Sequence, residues 1–139
     1  MSFFYTTNDL YRMADAYGQA GREAYIRARF TFDLIWPVVY TIFLCTNISW
    51  VYRKAFDPHS PWQRMNLVPV FAILFDYLEN ITTSLVMLQF PNRIPLVASL
   101  APVFTMGKWI LVTGSIVLLV VGLVVGVWRW VKGSLRKAT

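Results

Sequence analysis

The sequence has a single cysteine and a single histidine, and only 14% of its 139 residues are charged. One cysteine, Cys45, excludes an internal disulfide, and without a Cys/His cluster no zinc or iron–sulfur pattern exists. His59 lies in a turn-rich loop, so no apolar segment offers a histidine for haem ligation. No glycine-rich phosphate loop occurs either. We therefore expect no cofactor, no metal and no nucleotide chemistry.

Acidic residues are absent from residues 80–139, which hold six basic residues, whereas residues 1–79 hold seven of each sign. The net charge of +6 therefore belongs to the last part of the chain. Next to a membrane span, such a charge favours anionic lipid headgroups at about 1 kcal/mol per basic residue, and nucleic acid is not needed to explain it. The predicted headgroup-binding residues are Arg129, Lys132, Arg136 and Lys137.

Apolar residues make up 57% of the chain and aromatic residues 17%, including six tryptophans. A soluble domain is typically about 45–50% apolar and about 25% charged, and tryptophan collects at membrane interfaces. The composition therefore predicts a polytopic all-α membrane protein with three transmembrane helices, four being the alternative, and a short N-terminal amphipathic helix. We treat residues 1–139 as one membrane domain.

The apolar pattern divides this domain into five segments. Residues 7–17 form an amphipathic helix that Thr7 caps and Gly18 interrupts. Residues 22–54 form a nearly continuous helix, the first span with an extramembrane overhang, in which Pro37 predicts a kink. The later segments are a second span at 66–89, a long last helix at 97–131 that spans from about residue 109, and a basic tail at 132–139.

The count of three spans depends on residues 94–131, which Pro102, Gly107 and Lys108 interrupt. Three spans leave overhangs of similar length at 22–33 and 97–108, and the helix at 7–17 can pack across them as a cap. With three spans, seven Lys and Arg residues lie on one side of the membrane and six on the other. With four spans the numbers are nine and four, and the positive-inside rule prefers this more unequal division. Segment length favours three spans, with the C-terminal tail cytoplasmic and the protein in an inner or plasma membrane.

The second span carries two acids and an amide near its middle. Asp76, Glu79, Asn80 and Thr83 share one helix face, called here the polar stripe. A charge at the bilayer centre costs on the order of 3 kcal/mol, so the polar stripe should face protein or water. Three roles are open to it: bonding polar groups of adjacent helices such as Thr41 and Ser115, binding a ligand beside aromatic rings such as Tyr40, or carrying a cation or proton.

Two further pairs of residues suggest helix contacts. Asp33 and Lys108 lie at similar depth in the three-span arrangement and are a candidate ion pair, for which Arg27 or Arg29 competes. Gly122 and Gly126 form a GxxxG pattern, which lets two helix backbones approach closely. The partner of this pattern is either another molecule or the first span of the same chain.

These observations favour a non-catalytic accessory or assembly subunit that packs against itself or partner membrane proteins. Three spans enclose too little volume for a private aqueous pathway, which is why a polar stripe on so small a protein suggests an oligomer or a host complex. The alternative is an intramembrane ligand- or lipid-binding protein, or a small lipid-modifying enzyme or transporter, that uses Asp76 and Glu79 in an aromatic cavity. The expected partners are membrane lipids and protein subunits.

Overall fold

The chain is all-helical in a computed structural model that describes residues 5–138, with side chains described through Leu135. No strand occurs in this range, which confirms the all-α class. Three helical segments are long and apolar enough to cross a membrane. The helices are α1 (Thr7–Arg29), α2 (Phe32–Ala55), α3 (Val68–Gln89) and α4 (Pro95–Ala138), with a 3₁₀ helix at Pro61–Leu67 between α2 and α3.

Helix α1 consists of two segments joined at a kink. The sequence predicts Thr7 as its N-cap, but the N-cap is Thr6. Thr6 Oγ1 accepts the Asp9 N–H at 3.3 Å, and the Asp9 carboxylate accepts the Thr6 N–H at 2.9 Å. This reciprocal pair satisfies two amide donors that a helix start otherwise leaves free. Gly18, with φ of 61°, breaks the helix where the sequence predicts, since a positive φ is accessible to glycine.

The nearly continuous helix expected over residues 22–54 is interrupted at Phe30 and Thr31. Thr31 Oγ1 donates to the carbonyl of Arg27 at 2.8 Å, and such local bonds compete with helical backbone pairing. α1 therefore ends at Arg29 and α2 starts anew at Phe32. Pro37 lies inside α2 and is buried.

Helix α4 is a single helix of 44 residues, about 66 Å long at 1.5 Å per residue. The expected long last helix is present and extends beyond its predicted bounds at both ends, with Pro102 and Gly107 inside it. Its first turns contact α1 and the end of α3, and its later turns follow α2.

Two apolar clusters form the core. One joins α1, the end of α3 and the start of α4 and is called here the cap cluster; the other joins α2 and the later part of α4. Along α4, Ala98 and Ala101 belong to the first cluster, Leu118 and Leu119 pack on the second, and Lys108 lies between them. A polar layer therefore separates the two clusters.

The GxxxG pattern packs against α2 of the same chain. A Cβ added at Gly122 would lie 2.6 Å from the Tyr52 ring and 2.8 Å from Val51, while one at Gly126 would lie 4.0 Å from Ala55. Tyr52 is fully buried and its hydroxyl donates to the Leu118 carbonyl at 3.0 Å. The ring therefore has no space in which to move away.

We predict that Gly122→Ala destabilises the protein by about 1–3 kcal/mol, as overpacking a core does. The matched control is Gly114→Ala in the same helix, where an added Cβ meets nothing within 4 Å. That substitution should be neutral or stabilising by up to about 1 kcal/mol, because alanine is the better helix former. Thermal unfolding in detergent measures both, and equal effects would contradict the close α2–α4 contact.

Candidate functional site

The polar stripe of α3 faces the interior. Asp76, Glu79, Asn80 and Thr83 are all buried, as expected from the cost of exposing acids to lipid. Thr83 Oγ1 donates to the Glu79 carbonyl at 2.8 Å within α3, so it makes a local bond. The other three side chains reach groups of neighbouring helices.

Lys108 is the partner of both acids. Its Nζ lies 2.7 Å from Asp76 Oδ1 and 2.5 Å from Glu79 Oε2. The predicted Asp33–Lys108 ion pair is therefore wrong. The reason is the close approach of α4 to α3 at Gly107, where an added Cβ would lie 2.5 Å from the Phe75 ring. This approach directs the lysine at α3 and not at α2.

Asp33 pairs instead with Arg29, the competitor that the sequence indicates. Arg29 Nη1 lies 2.9 Å from Asp33 Oδ2 and donates to Asn80 Oδ1 at 3.0 Å, while Nη2 donates to the Tyr25 hydroxyl at 2.9 Å. Arg29 also lies 4.0 Å from Glu79. Arg29 therefore connects the end of α1 to both α2 and α3.

These side chains form one buried network, called here the ionic layer. Three carboxyl groups face two cationic groups, which leaves one negative charge when all five are ionised. The hydroxyl partners expected for the polar stripe bond elsewhere: Ser115 Oγ donates to the Leu111 carbonyl and Thr41 Oγ1 to the Pro69 carbonyl. The members of the ionic layer are Arg29, Asp33, Asp76, Glu79, Asn80 and Lys108.

Two residues beside the ionic layer were not indicated by the sequence. Thr105 Oγ1 donates to the Tyr5 hydroxyl at 3.1 Å, and burial raises the pKa of Tyr5 to about 12. The link joins the N-terminal segment to α4. No periodic signal marks Tyr5, because it precedes the first helix.

A groove between α2 and α4 opens beside the ionic layer, with a volume of about 410 Å³. We call it the α2–α4 groove. The Tyr40 hydroxyl at its wall is buried and has no hydrogen-bond partner among the described residues. The aromatic lining residues are Trp36, Tyr40, Phe43 and Trp109, and the charged ones are Arg29, Asp33, Asp76 and Lys108.

A second cavity of about 350 Å³ lies on the cap side of the same network. Tyr25, Glu79 and Thr105 line it together with Arg29, Asp33, Lys108 and Trp109. The last four residues also line the α2–α4 groove. Asp33, Arg29 and Lys108 therefore line both the α2–α4 groove and the second cavity.

The predicted headgroup residues lie at the far end of α4. Arg129 lies 3.7 Å from Asp57, and Lys132 Nζ stands 4.8 Å from the centre of the Trp128 ring. The side chains of Arg136 and Lys137 lie outside the described part of the chain. Within residues 5–135, no group of three or more His, Cys, Asp or Glu side chains is arranged to hold a metal ion.

No protein family model matches this chain, and searches among curated proteins and solved structures found no significant similarity. Any functional inference therefore comes from the residues themselves.

We predict that Lys108→Met destabilises the protein by about 3–5 kcal/mol, because it leaves two buried carboxylates without their cation. The matched control is Lys132→Met, which removes an exposed lysine from the same helix and should change stability little. Unfolding in a detergent titration measures both variants. Similar unfolding curves for the two would show that leaving the two carboxylates without Lys108 does not cost stability.

Proposed function

We propose that this protein is a non-catalytic, multi-pass membrane protein that packs against other membrane helices, from a second copy or from partner subunits. The observation that carries the proposal is the pairing of the ionic layer. Asp76 and Glu79 share Lys108, and Asp33 contacts Arg29. A general acid or base must reach the proton that it transfers, whereas the carboxyl groups of Asp76 and Glu79 are buried against Lys108.

Helix α4 offers the surface for such packing. Only 11% of its most apolar 18-residue window is buried. Five exposed valines follow one another along one face at helical spacing, opposite Leu118 and Leu119, which pack on α2. Without a hydrophobic drive between helices in lipid, association rests on close side-chain packing, for which a rigid β-branched surface is suited. This valine stripe consists of Val117, Val120, Val121, Val124 and Val127.

The same reasoning supports a cytoplasmic C-terminal tail in an inner or plasma membrane. Of the six basic residues assigned to the cap side, Arg29 and Lys108 are engaged in the ionic layer, which leaves four in the flanking segments. The other side carries seven, three between residues 53 and 64 and four between residues 129 and 137, of which Arg129 pairs with Asp57. This larger difference favours the tail side as cytoplasmic.

A second candidate function is the binding of an amphiphile beside the ionic layer, the alternative that the sequence also suggests. The observation that favours it is the buried Tyr40 hydroxyl without a hydrogen-bond partner in the described chain, at the wall of the α2–α4 groove. Leaving such a group unpaired costs about 1–3 kcal/mol. A polar atom of a bound molecule would remove that cost.

The packing proposal predicts that the protein leaves its own membrane, in mild detergent, with a second copy or with other subunits at fixed stoichiometry. Native mass spectrometry measures this. Val124→Phe, in the valine stripe, should abolish the association because the larger ring prevents close packing. Ile42→Phe is the matched control, since Ile42 is equally exposed on α2 and lies away from the stripe.

A wild-type protein that is found only as a monomer would overturn the proposal. So would a Val124→Phe variant that retains its partners, or an Ile42→Phe variant that loses them to the same extent.

A further inference from the structure

The geometry points to a binding site beyond packing: the α2–α4 groove takes an amphiphile whose headgroup carries an ammonium group, and Asp33 is the residue that contacts this group. The inference rests on the second candidate function above, whose ligand class it specifies, and does not depend on the valine stripe. It rests on the charge of the ionic layer, the accessibility of Asp33 and the aromatic lining of the groove.

When all five groups are ionised, the ionic layer holds one negative charge more than its cations balance. Arg29 and Lys108 supply two positive charges against the three carboxyl groups of Asp33, Asp76 and Glu79. An excess charge in a low-dielectric surrounding is costly unless a partner neutralises it. The ammonium group of a ligand would supply that partner.

Asp33 is the carboxylate that a ligand can reach. Its side chain is 32% exposed, whereas those of Asp76 and Glu79 are 9% and 2% exposed and lie against Lys108. Asp33 also lines both cavities beside the ionic layer. Arg29 contacts its Oδ2 oxygen at 2.9 Å.

The walls of the groove fit a positively charged headgroup with an apolar chain. Trp36, Tyr40, Phe43 and Trp109 line it, and the faces of aromatic rings attract ammonium groups. The Tyr40 hydroxyl can bond an oxygen of the headgroup. Val112 and Ile116 continue the lining along α4, as a surface for an acyl chain.

An anionic headgroup fits the same place less well. It would need a cation that is free to bind it, but Arg29 and Lys108 already contact carboxylates at 2.9 and 2.7 Å. Adding a phosphate alone would also increase the excess negative charge. The observations therefore favour the ammonium group as the recognised feature.

Photo-crosslinking in lipid nanodiscs tests the inference with the full-length protein. Two probes carry the same diazirine acyl chain, one on phosphatidylcholine and one on phosphatidylglycerol. Peptide mapping then measures the yield at residues 34–44 and 109–116. We expect phosphatidylcholine to give a several-fold higher yield. Dodecyltrimethylammonium should compete with it, whereas dodecyl maltoside, which has the same chain and no charge, should not.

The decisive variant is Asp33→Asn, which keeps the shape of the side chain and removes its charge. It should lower the phosphatidylcholine yield roughly tenfold, because the quaternary ammonium group, which has no N–H to donate, loses its electrostatic attraction to the carboxylate. Asp57→Asn is the matched control, because Asp57 is an exposed carboxylate near the opposite end of α2, and it should leave the yield unchanged.

If Asp33→Asn does not fold by circular dichroism, Trp36→Leu takes its place, with Trp130→Leu at the far end of α4 as control. Trp36→Leu keeps the groove apolar but removes an aromatic face, so it should lower the phosphatidylcholine yield while Trp130→Leu does not. A yield that neither groove variant changes would overturn the inference.

Equal yields for the two lipids, or a preference for phosphatidylglycerol, would overturn the inference as well. Native mass spectrometry of the protein from its own membrane then distinguishes the sources of the ammonium group by mass. A retained choline or ethanolamine phospholipid, or a retained single-chain amine, supports the site. A retained phosphatidylglycerol contradicts it.

Discussion

One lysine ammonium shared by two buried carboxylates is the interaction on which the rest of this structure depends. Lys108 joins α4 to Asp76 and Glu79 of α3, and Arg29 extends the network to α1 and α2. Forming a buried ion pair brings little net stability, since desolvation offsets the attraction, but breaking one partner away is costly. We infer that the ionic layer acts mainly by excluding other arrangements of the helices.

The ionic layer lies where the cap-side part of α4 passes into its apolar run. α3 continues past Asn80 into the cap cluster, where Val86 and Met87 meet Ala98 and Ala101 of α4. The acids that stand near the middle of an apolar segment in sequence therefore lie level with Lys108, next to Trp109, where the apolar run of α4 begins.

Much of this architecture was predictable because it follows from local pattern. Apolar length identified the three long segments, and the cost of a buried charge required the polar stripe to face inward. The partner of Lys108 was not predictable, since depth alone does not say which way a side chain points. That direction follows from the close contact of Gly107 with Phe75, a tertiary feature. Likewise, the break at Thr31 depends on a local side-chain bond that apolar periodicity does not reveal.

The same limit applies to the α2–α4 groove. The sequence indicates Tyr40 as an aromatic neighbour of the acids, but nothing in it groups Trp36, Phe43 or Trp109 with them. Only the packing of α2 beside α4 brings them together around Asp33. A groove between two helices has no signature in either helix alone.

The most direct test of the central claim compares the unfolding free energy of Lys108→Met with that of the triple variant that also carries Asp76→Asn and Glu79→Gln. If the ionic layer works by charge pairing, the triple variant regains most of the stability that the single variant loses. In the triple variant Arg29 and Asp33 are the charged groups of the ionic layer that remain, and they balance each other. A triple variant as unstable as the single one would show that Lys108 acts through packing and not through its charge.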